Sequence, residues 1–207
     1  MRSRDLTTTA YAVLGLLAIR PWTAYDLARQ MERSLHNFWP RAESNLTAAA
    51  KTLAANGLAS ARTEYVGRRP RVVYSITAKG RTALRRWVPK PGTGPVLEFE
   101  NLLKIFYAEH ASRQDLLDRL AAIKADAEKT LAKGRVIAEG YATGAGPFPA
   151  RMAINALVFQ FVVDHAKTIW LWADWAEDQV QTWPESPAEW PQRDDVFRAH
   201  LNDPFPP

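Results

Sequence analysis

Apolar positions recur at helical spacing along most of this chain, and only one short region alternates as strands do. Residues 7–19 and 24–36 predict two helices separated by Pro21, which ends the first. A third predicted helix closes at Asn56-Gly57, because glycine tolerates the left-handed conformation found at many helix C-caps. The start of the chain is therefore expected to hold three helices.

The alternating region lies between residues 58 and 76 and predicts two short strands. Gly67 and Pro70 supply turn geometry between the strands. A fourth helix is expected to start after Thr77 and to run to about Trp87. The order helix, strand, basic turn, strand is typical of a winged helix-turn-helix domain with a two-stranded wing.

The second part of the chain follows a segment rich in Pro and Gly, which reads as a linker. Beyond it, three helices are predicted at 96–110, 113–141 and 150–180, and a short one at 194–201 within an otherwise irregular tail. The fold class is mainly α with a small two-stranded wing. The expected domains are a winged helix-turn-helix domain at 1–88, a linker at 89–95, a helical dimerisation domain at 96–181 and a Pro-rich tail at 182–207.

Two of these helices indicate a homodimer. The helix at 113–141 has a heptad seam with small residues at its middle, which permits close approach of a helix from the same chain or from a second copy. The helix at 150–180 is apolar around most of its circumference, and a single chain of this size cannot easily bury it. A two-fold dimer would also place two winged units on DNA half-sites about 34 Å apart.

Charge is divided unevenly along the chain. Residues 1–90 carry 16 Lys and Arg against 5 Asp and Glu, whereas residues 91–207 carry 11 against 17. The first half is therefore expected to face a polyanion. A membrane surface is one alternative, but the first half has no basic amphipathic helix with a large apolar face.

The third predicted helix presents small polar side chains opposite its apolar stripe, which suits insertion into a major groove. An alanine-rich surface helix without any ligand is the alternative. In the preceding turn, Phe38 and Trp39 are expected to fill the core rather than to stack on bases.

The wing is predicted to carry Arg68, Arg69 and Arg71 at its tip, where guanidinium groups can contact the phosphate backbone or enter a narrow minor groove. A solvated charged turn is the alternative. The predicted DNA-binding residues are Tyr25, Ser44, Asn45, Thr47, Ala48, Lys51, Arg62, Arg68, Arg69 and Arg71.

No catalytic constellation is apparent. The chain has no cysteine, and its histidines at 36, 110, 165 and 200 lack metal-binding spacing. We expect no enzyme activity, no cofactor and no metal. The start Met1-Arg-Ser-Arg-Asp-Leu lacks the apolar region of a leader, and the apolar run at 152–163 is too short for a membrane span, so a cytoplasmic protein is expected.

Several motifs resemble the PadR family of transcriptional regulators. They are Trp22-Thr-Ala-Tyr-Asp-Leu, Phe38-Trp-Pro, Ser44-Asn-Leu, Asn56-Gly-Leu and the run from Gly67 to Leu84. The second half resembles the virulence-activator-type C-terminal domain, through Phe99, Leu102, Leu103, Lys104, Phe106 and Phe161-Val-Val-Asp-His. The resemblance covers residues 6–180.

The resemblance implies a dimeric DNA-binding regulator, usually a repressor, with the third helix in the major groove. The family commonly has a tyrosine where this chain has Thr47, so more of the affinity is expected from the wing. Some relatives sense small aromatic molecules at the dimer interface, and the candidate effector-binding residues here are Phe159, Trp170, Trp172 and Trp175, although these rings also suit plain dimer packing. The alternative function is a helical dimer that binds a small molecule or protein and uses its basic half for another acidic partner.

Overall fold

The computed structural model describes residues 6–199 and residue 201. Residues 1–5, on which the expectation about a leader rests, are outside the described part of the chain. His200 and residues 202–207 are outside it as well. The chain divides into two compact units, Met1–Pro95 and Val96–Pro207. The helices are α1 (Thr8–Ile19), α2 (Ala24–Ser34), α3 (Glu43–Ala55), α4 (Ala78–Trp87), α5 (Glu100–Phe106), α6 (Arg113–Ala142), α7 (Met152–Gln181) and α8 (Asp194–Ala199), and the strands are β1 (Trp22–Thr23), β2 (Ala59–Val66) and β3 (Arg69–Ile76).

In the first unit, threonine hydroxyls start three of the four helices. The hydroxyls of Thr7, Thr23 and Thr77 accept hydrogen bonds from the backbone amides three residues later, in the first turns of α1, α2 and α4. The apolar faces of the helices meet in one core. Its most deeply buried side chains include Val13, Leu14, Leu17, Leu27, Leu46 and Leu53. This core fixes α3 against α1 and α2 and leaves its opposite face in solvent.

The sheet has three antiparallel strands in the order β1-β3-β2, not the two strands expected from the sequence. The additional strand consists of Trp22 and Thr23, which pair with Tyr74 and Val73. Two residues are too few to show alternation, so this strand left no pattern to detect. Trp22 is buried, and its indole donates to the Leu16 carbonyl at 2.8 Å.

The wing turn is tighter than expected. Only Gly67 and Arg68 separate the strands, and Gly67 has a φ of 59°, as a two-residue turn of this kind requires. Pro70 and Arg71 therefore lie within β3, paired with Tyr65 and Glu64, and the placement of Arg71 at the tip is corrected. A proline is tolerated there because β1 does not reach this part of β3.

Helix α4 is attached to the end of α3 at close range. The Thr77 hydroxyl donates to the Gly57 carbonyl at 2.8 Å, and the Lys79 ammonium donates to the Asn56 carbonyl at 2.9 Å. Gly80 is buried against the Leu58 carbonyl oxygen, and a Cβ atom at this position would lie 2.1 Å from that oxygen. The contact fixes the base of the wing relative to α4.

The second unit is built on α6 and α7, each 30 residues long. The predicted heptad seam of α6 packs against α7 of the same chain, and its residues Leu116, Leu120, Ile123, Ala127 and Gly134 are buried. A Cβ atom on Gly134 would lie 3.3 Å from a Val163 methyl group, so the glycine allows the two helices to approach closely. Alanines of α7 supply the matching small surface.

The segment after α7 is ordered by packing, although the sequence suggested an irregular tail. The rings of Trp183 and Trp190 lie 5.3 Å apart and pack on a cluster that includes Leu120 and Val180. The Arg113 guanidinium donates to the Trp183 carbonyl at 3.1 Å and pairs with Glu185. Among the described helices, none has the length and apolar character that crossing a bilayer requires.

Candidate nucleic-acid interface

The outward face of α3 carries five of the ten residues predicted to bind DNA. Ser44, Asn45, Ala48 and Lys51 are exposed, and Thr47 is half-buried. Their spacing of three and four residues places them on the side opposite the buried stripe of Leu46, Ala49, Ala50 and Leu53. The result is a slim polar helix face that a groove of about 12 Å could accommodate.

The wing offers four exposed arginines, which the structure divides into two sets. Arg68 occupies the turn and Arg69 begins β3, and the contacts described for the wing include no acidic partner for either. Arg62 and Arg71 instead flank Glu64: Arg71 donates to Glu64 Oε2 at 3.2 Å, and Arg62 donates to Oε1. The sequence prediction treated the arginines as equivalent and did not foresee this carboxylate.

The trio is held on one face of the hairpin by its register. Glu64 pairs with Arg71 across the strands, and Arg62 lies two residues before Glu64. The nearby Arg62 and Arg71 guanidinium groups hold the pKa of the Glu64 carboxyl below its ordinary value. The carboxylate therefore stays charged at neutral pH and partly neutralises two of the predicted DNA-binding arginines.

A groove of about 320 Å³ lies between α2 and α3, and we call it the α2–α3 groove; its lining includes Tyr25, Arg29, Met31, Trp39, Arg41 and Leu46. Tyr25 is 61% exposed, and the Arg29 guanidinium lies 5.6 Å from the centre of its ring. Tyr25 on α2 and Arg41, which precedes α3, thus line the same groove.

The aromatic turn before α3 departs from expectation. Phe38 is 42% exposed and so is not a core residue, because backbone hydrogen bonds from Phe38 and Trp39 to the Leu35 carbonyl form a tight turn that carries its ring outward. Trp39 is half-buried, lines the α2–α3 groove and lies 4.3 Å below the Arg41 guanidinium.

The four candidate effector residues of α7 have different surroundings. Phe159 faces Gly134, and Trp172 packs on the cluster that holds the tail. The Trp170 indole donates to Glu128 at 2.9 Å, and Trp175 is 45% exposed. The contacts described for these four rings are therefore with different neighbours.

The described residues were compared for side-chain groups that could bind a metal ion. Across residues 6–199 and residue 201, no three His, Cys, Asp or Glu side chains lie close enough together to hold an ion. The described histidines have local partners instead: His36 Nδ1 lies 3.0 Å from Glu32, and the His165 ring stacks on Phe161.

Most of the first unit is similar to a known protein family. Residues 13–86 match the Transcriptional regulator PadR-like family, a span that holds α2, α3, the wing and almost all of α4. These residues form a PadR-like domain. A curated relative, the negative transcriptional regulator PadR of Bacillus subtilis, is 29% identical over 113 residues, which are 52% of this chain and 60% of the relative. The matched region is thus less than two thirds of that protein's length.

Solved structures extend the likeness of fold beyond the PadR-like domain. A crystal structure of Bacillus subtilis PadR with operator DNA has a TM-score of 0.70 at 22% identity and covers 84% of this chain and 99% of that chain. The same protein with p-coumaric acid gives a TM-score of 0.66 at 20% identity, with coverage of 84% and 99%. The Vibrio cholerae virulence activator AphA gives 0.61 at 22%, with coverage of 84% and 98%.

The family match supports the predicted PadR-like domain at residues 13–86, and the solved structures confirm the mainly helical winged fold. The relatives are transcriptional regulators rather than enzymes, in agreement with the prediction from the sequence. They leave the individual DNA-binding and effector-binding residues as predictions.

The sequence prediction missed three arginines beside the PadR-like domain's exposed helix face. Arg29 and Arg33 follow Tyr25 at intervals of four residues on α2, and Arg41 precedes α3 by two residues. The interval of four was a usable signal, because it places Tyr25, Arg29 and Arg33 on one face of a helix.

Proposed function

We propose that this protein is a dimeric, sequence-specific DNA-binding transcriptional repressor that acts in the cytoplasm and is released from DNA by a small aromatic effector. The observation that carries the proposal is the combination, in one compact PadR-like unit, of a slim polar face on α3 with an arginine-bearing wing. In this proposal α3 enters the major groove, while Arg68 and Arg69 contact the backbone or minor groove.

The relatives support the choice of partner. Bacillus subtilis PadR is described as a negative transcriptional regulator and was crystallised with operator DNA and with p-coumaric acid. The net charge of +11 on residues 1–90 supports the same partner from the physical side, because phosphate neutralisation supplies most of the non-specific affinity for DNA.

Exposed apolar side chains on the second unit support the dimer. Ile154, Leu157 and Phe161 of α7 are 54%, 75% and 59% exposed and are spaced as one helical stripe. Leu103 and Phe106 of α5 are 56% and 74% exposed. Apolar surface of this kind is typical of obligate interfaces, and a two-fold pair would present two winged units to an inverted-repeat operator.

The decisive experiment is a fluorescence anisotropy titration of the full-length protein against its own upstream DNA and against a scrambled duplex. We expect tighter binding to the upstream DNA and a fall of about a thousand-fold in affinity between about 50 and 200 mM salt if roughly six to ten phosphates are neutralised. Equal affinity for both duplexes would favour the alternative, a dimer that uses its basic half for another acidic partner.

Two sets of variants assign the roles. Alanine at Arg68, Arg69 and Arg71 should weaken binding to every duplex, whereas Asn45→Ala should change the preference between sequences. The matched control is alanine at Lys129, Lys133 and Arg135, which removes the same charge from exposed positions of α6. Equal losses in the two triple variants would contradict the wing assignment.

A further inference from the structure

Arg41 stands immediately before the exposed face of α3. The N-cap of this helix is Ala42, and the first exposed polar residues of the predicted DNA-binding face are Ser44 and Asn45. In helix-turn-helix proteins the residues at the N-terminus of the second helix contact base edges. The Arg41 side chain therefore begins at the end of α3 where bases are read.

Arg41 is also the long cationic side chain of this region. It is the only Lys or Arg between residues 34 and 50, and it is exposed. The contacts described for its guanidinium are a hydrogen bond to the Pro40 carbonyl and a contact with Trp39, and they include no carboxylate. The nearby Glu43 lies in the first turn of α3, where the helix dipole stabilises its charge.

The Trp39 ring holds this guanidinium in place. The Arg41 guanidinium lies over the ring, 4.3 Å from its centre. The Trp39 backbone amide donates to the Leu35 carbonyl at 2.7 Å, and the ring lines the α2–α3 groove, which Met31 and Leu46 also line. The indole Nε1 atom is buried, so the polar edge of the ring is turned into the protein. The surface under Arg41 is thus itself anchored.

Such restraint favours recognition of a base over contact with a mobile charge. An arginine that donates two parallel hydrogen bonds must fix its long side chain, and the lost rotamer freedom opposes binding. A guanidinium already held against an aromatic ring has lost part of that freedom before DNA arrives. The described hydrogen bond to Pro40 uses one of its five N–H groups, which leaves donors for a base.

We infer that Arg41 determines sequence specificity by donating two hydrogen bonds to O6 and N7 of a guanine in the major groove. Trp39 is the positioning residue beneath it. This role rests on the proposed function and adds a base-specific contact before the short side chains of α3. The same guanidinium could instead contact a backbone phosphate, which would give affinity without a preference for any base.

The test is a selection of binding sites from a randomised duplex library by the full-length protein, compared with selections by Arg41→Gln and Arg41→Lys. We expect the unmodified protein to select a guanine at one position of each half-site. Both variants should lose about tenfold of the discrimination at that position and keep the preferences elsewhere, because an ammonium lacks the fork of the guanidinium. A loss of affinity without any change of motif would assign Arg41 to a phosphate, and an unchanged motif at full affinity would remove it from the interface. Either result overturns the assignment.

Modified bases at the selected position identify the atoms that are read. 7-Deazaguanine lacks the N7 acceptor, whereas inosine keeps O6 and N7 and lacks the minor-groove amino group. In anisotropy titrations, 7-deazaguanine should weaken the unmodified protein about threefold to tenfold, and Arg41→Gln should not distinguish it from guanine. Inosine should be accepted by both proteins. Weaker binding to inosine alone would place the reading group in the minor groove and contradict the assignment.

A second arginine–tryptophan pair supplies the matched control. Arg20 lies over Trp22 at 3.6 Å, in the same compact unit but outside the lining of the α2–α3 groove. Arg20→Gln should leave the selected motif unchanged, and loss of the guanine in this variant too would overturn the assignment.

Substitution of Trp39 tests its positioning role. Trp39→Phe keeps an aromatic surface and should retain the guanine preference, whereas Trp39→Leu should reduce that preference and leave the other positions unchanged. Thermal unfolding followed by circular dichroism shows whether each variant is folded. The exposed Arg41 variants decide the main assignment even if a change at Trp39 disturbs the fold.

The same selections distinguish this role from the proposed function. If the unmodified protein selects a motif that Arg41→Gln shares, the regulator proposal holds and the guanine contact is wrong. If the unmodified protein enriches no sequence, the regulator proposal fails and the guanine contact fails with it.

Discussion

Glu64 lies directly across the wing hairpin from Arg71, and its carboxylate accepts a hydrogen bond from the Arg71 guanidinium at 3.2 Å. The same carboxylate also binds Arg62. An acidic group between two arginines opposes the approach of a phosphate, because it both occupies their donors and repels the incoming charge. In the proposed function, Glu64 therefore competes with DNA phosphate for the same two guanidinium groups.

Glu64→Gln should therefore strengthen binding to all duplexes, by about threefold to tenfold at low salt, and steepen the salt dependence. Anisotropy titrations at several salt concentrations measure both quantities. Glu139→Gln, an exposed acid of α6, is the control and should have little effect. A weaker Glu64→Gln complex would mean that the carboxylate mainly holds the arginines in the orientation that DNA requires.

The effect of Glu64→Gln should not vary between about pH 5.5 and 8. The pKa of Glu64 lies below its ordinary value because of Arg62 and Arg71, so the carboxylate remains ionised throughout this range. Its ion pairs contribute above the unfolded-state pKa of roughly 4.3 and are lost only as the pH falls through the lower folded-state value. A ratio of affinities that collapses near pH 6 would contradict this charge state.

Gly80→Ala should destabilise the first unit by roughly 1–3 kcal/mol or more, because the new Cβ atom would lie 2.1 Å from the Leu58 carbonyl oxygen. Thermal and urea unfolding followed by circular dichroism measure the loss. Gly15→Ala in α1 is the matched control: a Cβ atom added there would meet no atom within 4 Å, and alanine favours a helix, so stability should be unchanged or raised by about 0.5–1 kcal/mol. Equal effects would show that α4 does not pack on the wing base as described.

The elements with strong patterns could be predicted from the sequence, and those defined by contacts could not. The long helices α6 and α7 and the wing strands followed from periodicity and caps. Strand β1 and the packed tail are instead fixed by partners far away in sequence: Trp22 by Tyr74, and Trp183 by Arg113. No local pattern contains that information.

The candidate interface shows the same division. The exposed side of α3 was predictable, because an amphipathic stripe defines its own opposite face. The pairing of Glu64 with two arginines depends on the hairpin register, and the register depends on a turn shorter than the sequence suggested. A turn from Gly67 to Arg71, as the sequence suggested, would have placed Arg71 at the tip and away from Glu64.

Lys124→Met should destabilise the second unit by about 1–2 kcal/mol. The Lys124 ammonium bridges Asp174 at 2.6 Å and Glu177 at 2.8 Å, and removing it leaves two carboxylates of α7 facing an apolar side chain of α6. Asp174 raises the pKa of Lys124 most and Glu177 adds to the rise, so the ion pairs persist to alkaline pH and are lost only above the unfolded-state value of about 10.4.

Lys129→Met tests whether the location of Lys124, rather than the loss of any lysine, causes that effect. Lys129 pairs with Asp126 on the solvent side of α6 at 2.9 Å, and both side chains are largely exposed. Its loss should change the free energy of unfolding by less than about 0.5 kcal/mol. Chemical denaturation of the two variants under the same conditions provides the comparison.

The exposed stripe of α7 gives the prediction that links assembly to DNA binding. Leu157→Lys combined with Phe161→Lys should weaken the proposed dimer by about a hundred-fold or more, because two ammonium groups would have to be desolvated in an apolar interface. Sedimentation velocity over a range of protein concentrations measures the dissociation constant.

The same double variant separates dimerisation from DNA recognition. Its PadR-like domain is unchanged, so affinity for a single half-site should remain, whereas affinity for the inverted repeat should fall because the second half-site is no longer held nearby. Asp178→Lys, also exposed on α7 but already charged, should leave both affinities unchanged. If the double variant stays dimeric, the stripe is not the interface, and the second unit must pair through another surface such as the exposed side of α5.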